Sequence, residues 1–248
     1  MGRRLNLLFQ YFLELTPFDV CRRLPTVTLA PVDLLLASYE ARGDAITILQ
    51  IGACDGVTND PVHRHVAKGL NRAVLVEPNP LAFARLQKTY AGCPNVTLVQ
   101  CAIAEQDGEA HLYRLKGTGM KEAEVDLTLQ ISSFFRKHLE RHGKEDHEIE
   151  RITVSARSLS SLVAELCLTR VDLLQIDVEG FDAQVVRMAL KLPVLPYCIH
   201  FEHFHLGKAD RKPLFDLLHS NGYLLGYDAW NVLALQTQVM DELRMGKP

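Results

Sequence analysis

Three stretches of this 248-residue chain concentrate side chains able to do chemistry. The first is "LQIGACDGVTND", followed by "VLVEPNP". Gly52 and Gly56 stand where an apolar run ends, so the backbone can turn tightly there and let a ligand come close. Glu77 ends the next apolar run roughly 20 to 25 residues on, the offset expected of an acid that grips ribose hydroxyls. This is a layout for binding a nucleoside. The spacing is Gly-x-x-x-Gly rather than Gly-x-Gly-x-x-Gly, and Asp55 in the loop would repel the pyrophosphate of a dinucleotide. A sulfonium or ammonium would be attracted instead, by about 4 kcal/mol at roughly 4 Å in an effective dielectric of about 20. S-adenosylmethionine has both cations and no phosphate, so it fits this loop better than a nicotinamide cofactor does.

The second stretch, "LLQIDVEGFDAQ", runs apolar residues into Asp177 and Glu179 at the point where a buried strand should end. In open α/β sheets the carboxyl ends of strands face the ligand. Asp177 is therefore expected to serve the site. Glu179 is expected to favour the start of the following helix, whose first turn welcomes negative charge. The third stretch, "YCIHFEHFH", holds His200, Glu202, His203 and His205. Strand alternation puts His203 and His205 on one face and His200 and Glu202 on the other, so the four cannot converge on one ion, and no metal is expected. His203 is a candidate general base, since an imidazole with an unperturbed pKa of about 6.5 can take a hydroxyl proton. Asp177, His203 and Glu202 make up the candidate catalytic set. His63 and His65, in "VHRH", read as surface residues at a helix start.

These side chains need a scaffold that delivers strand ends to one edge. Pro31 opens a helical run that Gly43 can stop. "AITILQIG", "RAVLVEP" and "NVTLVQC" read as three strands, and Asn79-Pro80 and Asp60-Pro61 read as helix starts between them. A β-α-β-α-β order implies a parallel sheet with right-handed crossovers. "EQDGEAHLYRL" has a turn signal at Asp107-Gly108 and then the alternation of an exposed strand. Residues 116 to 150 are polar around one helical piece, "SSFFRKHLERHG", and read as an inserted lid. "ITVSA", the helix "SLSSLVAEL", the strand "VDLLQID" and the strand "YCIHFEH" follow. "DRKPLFDLLHSNG" is a helix stopped by Gly222, and "YLLGYD" with "NVLALQ" forms a terminal hairpin. The expected fold is α/β: a doubly wound, Rossmann-like sheet, mostly parallel, with a C-terminal antiparallel hairpin. Residues 44 to 248 would form the domain and 1 to 43 a helical appendage.

Composition supports one sizeable core, at 48% hydrophobic and 23% charged residues. A formal net charge of −3 provides no basic field for a nucleic-acid backbone, so nucleic acid is not an expected partner. The six cysteines include no C-x-x-C pair, which fits reduced thiols in the cytoplasm. "MGRRLNLLFQYFLELTPF" is interrupted by Asn6, Gln10 and Glu14 and reads neither as a signal peptide nor as a membrane span. Its one-sided apolar residues could dock on the domain, on a second copy of the chain, or at a membrane interface.

Together and in this order, "LQIGACDGVTNDP", "EPNP", "VQCAIAEQDGEAHLYRL", "SSF", "LLQIDVEGFDAQVV" and "IHFEH" resemble the FkbM-type family of S-adenosylmethionine-dependent methyltransferases, over roughly Ile46 to Leu235. The resemblance implies that Gly52, Ala53, Asp55 and Gly56 line the methionine portion of the cofactor, that Glu77 holds its ribose, and that Cys101, Ala102 and Ile103 flank its adenine. Asp177 would stand beside the methyl donor or the acceptor. Cys54 departs from the asparagine common at that loop position and is given no role. The family implies transfer of a methyl group to a hydroxyl of a sugar, glycan or secondary metabolite. The alternative is a non-catalytic subunit of the same fold that docks on a biosynthetic partner.

Overall fold

A computed structural model describes residues 31–116, 131–204, 206–227 and 230–238. The N-terminal docking helix expected before residue 31, the central part of the expected lid (117–130) and His205 lie outside the described residues. The compact unit begins at Pro31, so the helix expected in the appendage belongs to it.

Helix α1 spans Pro31–Ala41 and β1 spans Thr47–Ile51, and the short α2 (His63–Val66) leads to β2 (Arg72–Val76). Helix α3 (Pro80–Thr89) starts at Asn79, whose side chain accepts from the Leu81 N–H at 3.1 Å. The Asn-Pro signal thus becomes a cap with proline at the first turn. The Asp60-Pro61 signal acts two residues later: Asp60 Oδ1 accepts from the Val62 and His63 N–H groups at the start of α2. Strand β3 (Val96–Val99) ends this half.

A second, three-stranded sheet comes next, with β4 (Ala102–Ile103), β5 (Gly108–Leu115) and β6 (Ile149–Arg157) in the order β4-β6-β5. Between β5 and β6, helix α4 (Arg136–Arg141) packs its buried Leu139 against Leu115 and Ile149. Residues 131–150 are therefore built into the fold. Ser133 bridges to Tyr113 of β5, and residues 149 and 150 already belong to β6. The chain continues through α5 (Leu159–Glu165), β7 (Leu173–Ile176), α6 (Asp182–Ala189), β8 (Cys198–Glu202), α7 (Lys208–Ser220), β9 (Tyr223–Tyr227) and β10 (Asn231–Gln236).

The main sheet has the order β3-β2-β1-β7-β8-β10-β9. Strands β1, β2, β3, β7 and β8 are parallel, and β10 is antiparallel to both β8 and β9. This is the expected doubly wound sheet with its terminal hairpin. Alternation sends Leu49, Ile51, Leu174, Ile176, Ile199 and Phe201 into a core with Leu162 of α5, Val185 and Val186 of α6, and Leu214 and Leu218 of α7. The opposite face carries a buried polar row in register, Gln50, Gln175 and His200, with Gln175 Oε1 2.7 Å from His200 Nδ1. The order reverses between β2-β1 and β7-β8, which places the topological switch at the carboxyl ends of β1 and β7.

Candidate active site

At the switch, Ile51 pairs with Ile176, and the Asp177 N–H donates to the Ile51 carbonyl at 2.9 Å. Gly52 is forced here. Its φ is +85°, and a Cβ on it would lie 1.7 Å from the Asp177 carbonyl oxygen, so a side chain would push the two strand ends apart. Gly56 is required for a different reason: a Cβ would meet Leu86 and Tyr90, each at 2.6 Å. Gly56 is buried and packs the loop onto α3. Ala53, also buried, donates its N–H to the Val76 carbonyl. Cys54 adopts a φ of 48° at the tip of the turn.

Asp55 turns into its own loop. Its carboxylate accepts from the Val57 and Thr58 N–H groups and from the Thr58 hydroxyl, at 2.7 to 3.0 Å. Burial alone would raise its pKa, but these three bonds prevail and hold it below the ordinary range. Its carboxylate therefore braces the loop.

Glu77, 5% exposed, accepts from the Cys54 N–H at 2.9 Å through Oε2 and from the Asn79 N–H at 2.7 Å through Oε1. Burial raises its pKa to about 7 against the opposing pull of these two bonds. Each oxygen has taken one hydrogen and retains acceptor capacity, so a ribose diol fits this carboxylate. Behind it, Asn79 Oδ1 also accepts from Arg114 Nη1, and Arg114 Nε is 2.9 Å from Glu150, which ties the second sheet to this corner. The side chains of Cys101 and Ile103 are buried in the main core and that of Ala102 in a satellite cluster. Any contact these three residues make with adenine is therefore through their backbone.

A second corner forms at the ends of β7 and β8. The register ends at Ile176–Phe201, and Asp177 and Glu202 are the next residues after them in sequence. Withdrawal from bulk water first, then the like charges of Glu179, Asp182, Glu202 and Asp60, push Asp177 well above the usual carboxylate range, although its side chain still reaches solvent. Burial and the charges of Asp182 and Glu179 raise Glu202 to about 7, with His138 pulling the other way.

Three expectations change. Glu179 does not cap α6: it takes a left-handed backbone, φ 51°, and its Oε2 lies 2.7 Å from His138 Nε2 of α4. Asp182 holds the helix start instead, accepting from the Gly180 N–H at 3.1 Å and the Val178 N–H at 3.4 Å. His203 does not join the carboxylates. It extends the face of Phe201 and packs edge-on against Phe215 and Tyr227, at 6.2 and 6.3 Å between centroids. His65 is also not a surface residue: it is 1% exposed and lies 2.6 Å from Glu40 of α1.

Ser133 and His138 were not singled out from sequence, yet both clamp the loop after β7. The Ser133 hydroxyl donates to the Glu179 carbonyl at 2.8 Å and accepts from the Phe135 N–H. Phe134 stacks edge-on against Phe181 at 5.0 Å. The sequence signal that bears on this clamp is the i, i+4 histidine pair in "KHLERH".

The chain matches the Methyltransferase FkbM domain over residues 50–225. No curated protein matches it. Among solved structures it is similar to a methyltransferase FkbM from Methylobacillus flagellatus KT, with 14% identity and a TM-score of 0.47 over 77% of this chain and 43% of that one. The match thus spans under half the length of the Methylobacillus protein. It is also similar to an O-methyltransferase from Bacillus cereus in complex with SAH (12% identity, TM-score 0.42, 94% of this chain and 90% of that one). A fibrillarin from Aeropyrum pernix with natively bound S-adenosyl-L-methionine gives 12% identity and a TM-score of 0.42, over 81% of this chain and 74% of that one. With the family match covering most of the sheet and both corners, the chain belongs to the FkbM methyltransferase family, and S-adenosylmethionine is its cofactor.

Proposed function

We propose that this protein transfers a methyl group to a hydroxyl oxygen of a sugar, glycan or secondary metabolite. The observation that carries the reading is that Asp177 and Glu202 both stand at the carboxyl ends of the neighbouring strands β7 and β8, directly after the paired Ile176 and Phe201, with the Asp177 backbone against the Gly52 turn. Glu77 would hold the ribose of the cofactor, the Gly52–Ala53 backbone its methionine portion, and the chain around Ala102 its adenine. When bound, the cofactor supplies an electrophilic methyl group on a sulfonium. The protein's own part is to align the acceptor with that carbon, to exclude water, and to accept the hydroxyl proton. Glu202, at about 7, is suited to take that proton near neutral pH. Asp177 is placed to orient the acceptor and to favour positive charge beside it.

Phe204, Trp230 and Tyr227 are half-exposed or more at the same edge, and Phe204 and Trp230 stack at 4.3 Å. Flat apolar rings beside carboxylates suit the mixed faces of a sugar, whose C–H groups pack on the rings while its hydroxyls donate to the acids. The same carboxylates disfavour a phosphate backbone, consistent with an acceptor other than nucleic acid. A cytoplasmic location fits the five described cysteines, all free thiols. Among the described residues no helix is long and apolar enough to cross a membrane, and contact with a membrane surface or a second copy through the N-terminal segment remains part of the proposal.

The test is methyl transfer from labelled S-adenosylmethionine into fractionated glycan and metabolite extracts. Label is expected in a hydroxyl-bearing acceptor, with Asp177→Asn lowering turnover by roughly a hundredfold, as for a positioned electrostatic or acid-base group. Transfer to nitrogen or to nucleic acid would contradict the acceptor class, and no transfer would favour the non-catalytic subunit.

A further inference from the structure

His138 and His142 lie four residues apart at the end of α4, so both project from one face, with ring centroids 4.8 Å apart. Glu179, from the loop after β7, lies 2.7 Å from His138 through Oε2 and Nε2. One donor atom from each of the three lies within 4.8 Å of the other two. We propose that His138, His142 and Glu179 form a divalent transition-metal site beside the loop after β7.

Two imidazoles and a carboxylate suit zinc, manganese or cobalt, whereas calcium and magnesium prefer all-oxygen shells. Donors around such an ion, at bonds of about 2.1 Å, stand roughly 3 to 3.5 Å apart in a tetrahedral or octahedral shell. The widest pair must therefore close by about 1 to 2 Å, and the exposed His142 ring has the freedom to do so. The other two donors, 2.7 Å apart, need to part by only about 0.3 to 0.8 Å. His138 is 5% exposed, and Glu179 is held by its left-handed backbone and by the Ser133 hydroxyl on its carbonyl.

Three protein ligands leave coordination positions open, as in catalytic rather than structural sites. The role of the ion rests on the methyl-transfer reading. An acceptor hydroxyl bound at an open position would ionise at lower pH, its proton passing to Glu202 and its oxygen left beside the end of β7. Metal binding itself does not depend on that reading.

The experiment uses the full chain, stripped with chelator and titrated with Co2+ alone. One equivalent is expected to bind with visible d–d absorption. His142→Ala and Glu179→Gln should each weaken binding at least about tenfold, while replacing the exposed His147 should leave it unchanged. His142 is exposed at a helix end, so its variant should melt with the wild type in the absence of metal; if it does not, His142→Gln replaces it. Less than one equivalent bound by wild type, or equal affinity in wild type, His142→Ala and Glu179→Gln, would overturn the site. S-adenosylmethionine binding is measured on the same proteins. Stoichiometric Co2+ binding without cofactor binding would leave the metal site standing and remove the methyltransferase reading.

Discussion

The two corners of the carboxyl edge are built on opposite principles. Around β1 and β2, the polar side chains of the site are answered by donors: Glu77 by two backbone amides, Asp55 by two amides and a hydroxyl, and Asn79 by Leu81 and by Arg114 of β5. Around β7 and β8, burial first and then the charges of Glu179 and Asp182 raise the proton affinity of Asp177 and Glu202, with His138 as the opposing charge acting on Glu202. A corner satisfied from within recognises a cofactor of constant shape at little cost in reorganisation. A corner loaded with one sign of charge is completed by what arrives there, whether an acceptor hydroxyl or a cation.

The largest effect should come from the joint between the corners. Gly52→Ala places a methyl carbon on the Asp177 carbonyl at a left-handed φ, and a loss of about 4 kcal/mol is expected in urea denaturation. Gly43→Ala, with φ +71° and nothing within 4 Å, should lose only about 1 kcal/mol. Similar losses at the two positions would show that the strand ends are not in the contact described.

A proton test separates the corners at the next scale. Glu77 titrates at about 7 in the folded protein against about 4.5 for an ordinary glutamate. Below about 4.5 both states hold the proton. Between there and 7 the folded state holds it more tightly, so stability should decline as pH rises across that window, by up to about 3 kcal/mol from this group. In chemical denaturation at pH 5 and pH 8, Glu77→Gln should show a smaller difference than wild type. An unchanged difference would place the dependence in the β7 and β8 corner alone.

The smallest effect concerns the clamp. Ser133→Ala removes the bond to the Glu179 carbonyl and one accepted from Phe135, and should cost about 1 kcal/mol. Faster amide exchange at 179–182, with none added at 53–58, would be the accompanying sign in hydrogen-exchange measurements. Equal change in both loops would mean that the corners are not independent.

The first corner could be read from the sequence because its determinants are local. An apolar run, a glycine and an acid at a set offset fix a strand end, a turn and a carboxylate, and the Asn-Pro pair announces the helix that follows. The second corner was legible only as far as Asp177 and Glu202, which end their own strands. Glu179 was misread because the helix start already has Asp182, two residues beyond Gly180, while a histidine 41 positions earlier meets Glu179 across the fold. His203 faces away because rings from α7 and β9 claim it, and His65 is buried because α1 supplies Glu40. The second sheet was only half visible for the same reason. Strand β5 alternates clearly, but its partner β6 lies beyond a long insertion, and no local pattern specifies such a pairing.

The central claim is that the β1 and β2 corner holds S-adenosylmethionine through Glu77. Isothermal titration of the cofactor, its demethylated product and NAD into wild type and Glu77→Ala tests it most directly. Binding of the first two but not of NAD, abolished in a Glu77→Ala protein that remains folded by circular dichroism, is the expected result. Comparable affinity for NAD, or cofactor affinity unaffected by Glu77→Ala, would contradict it.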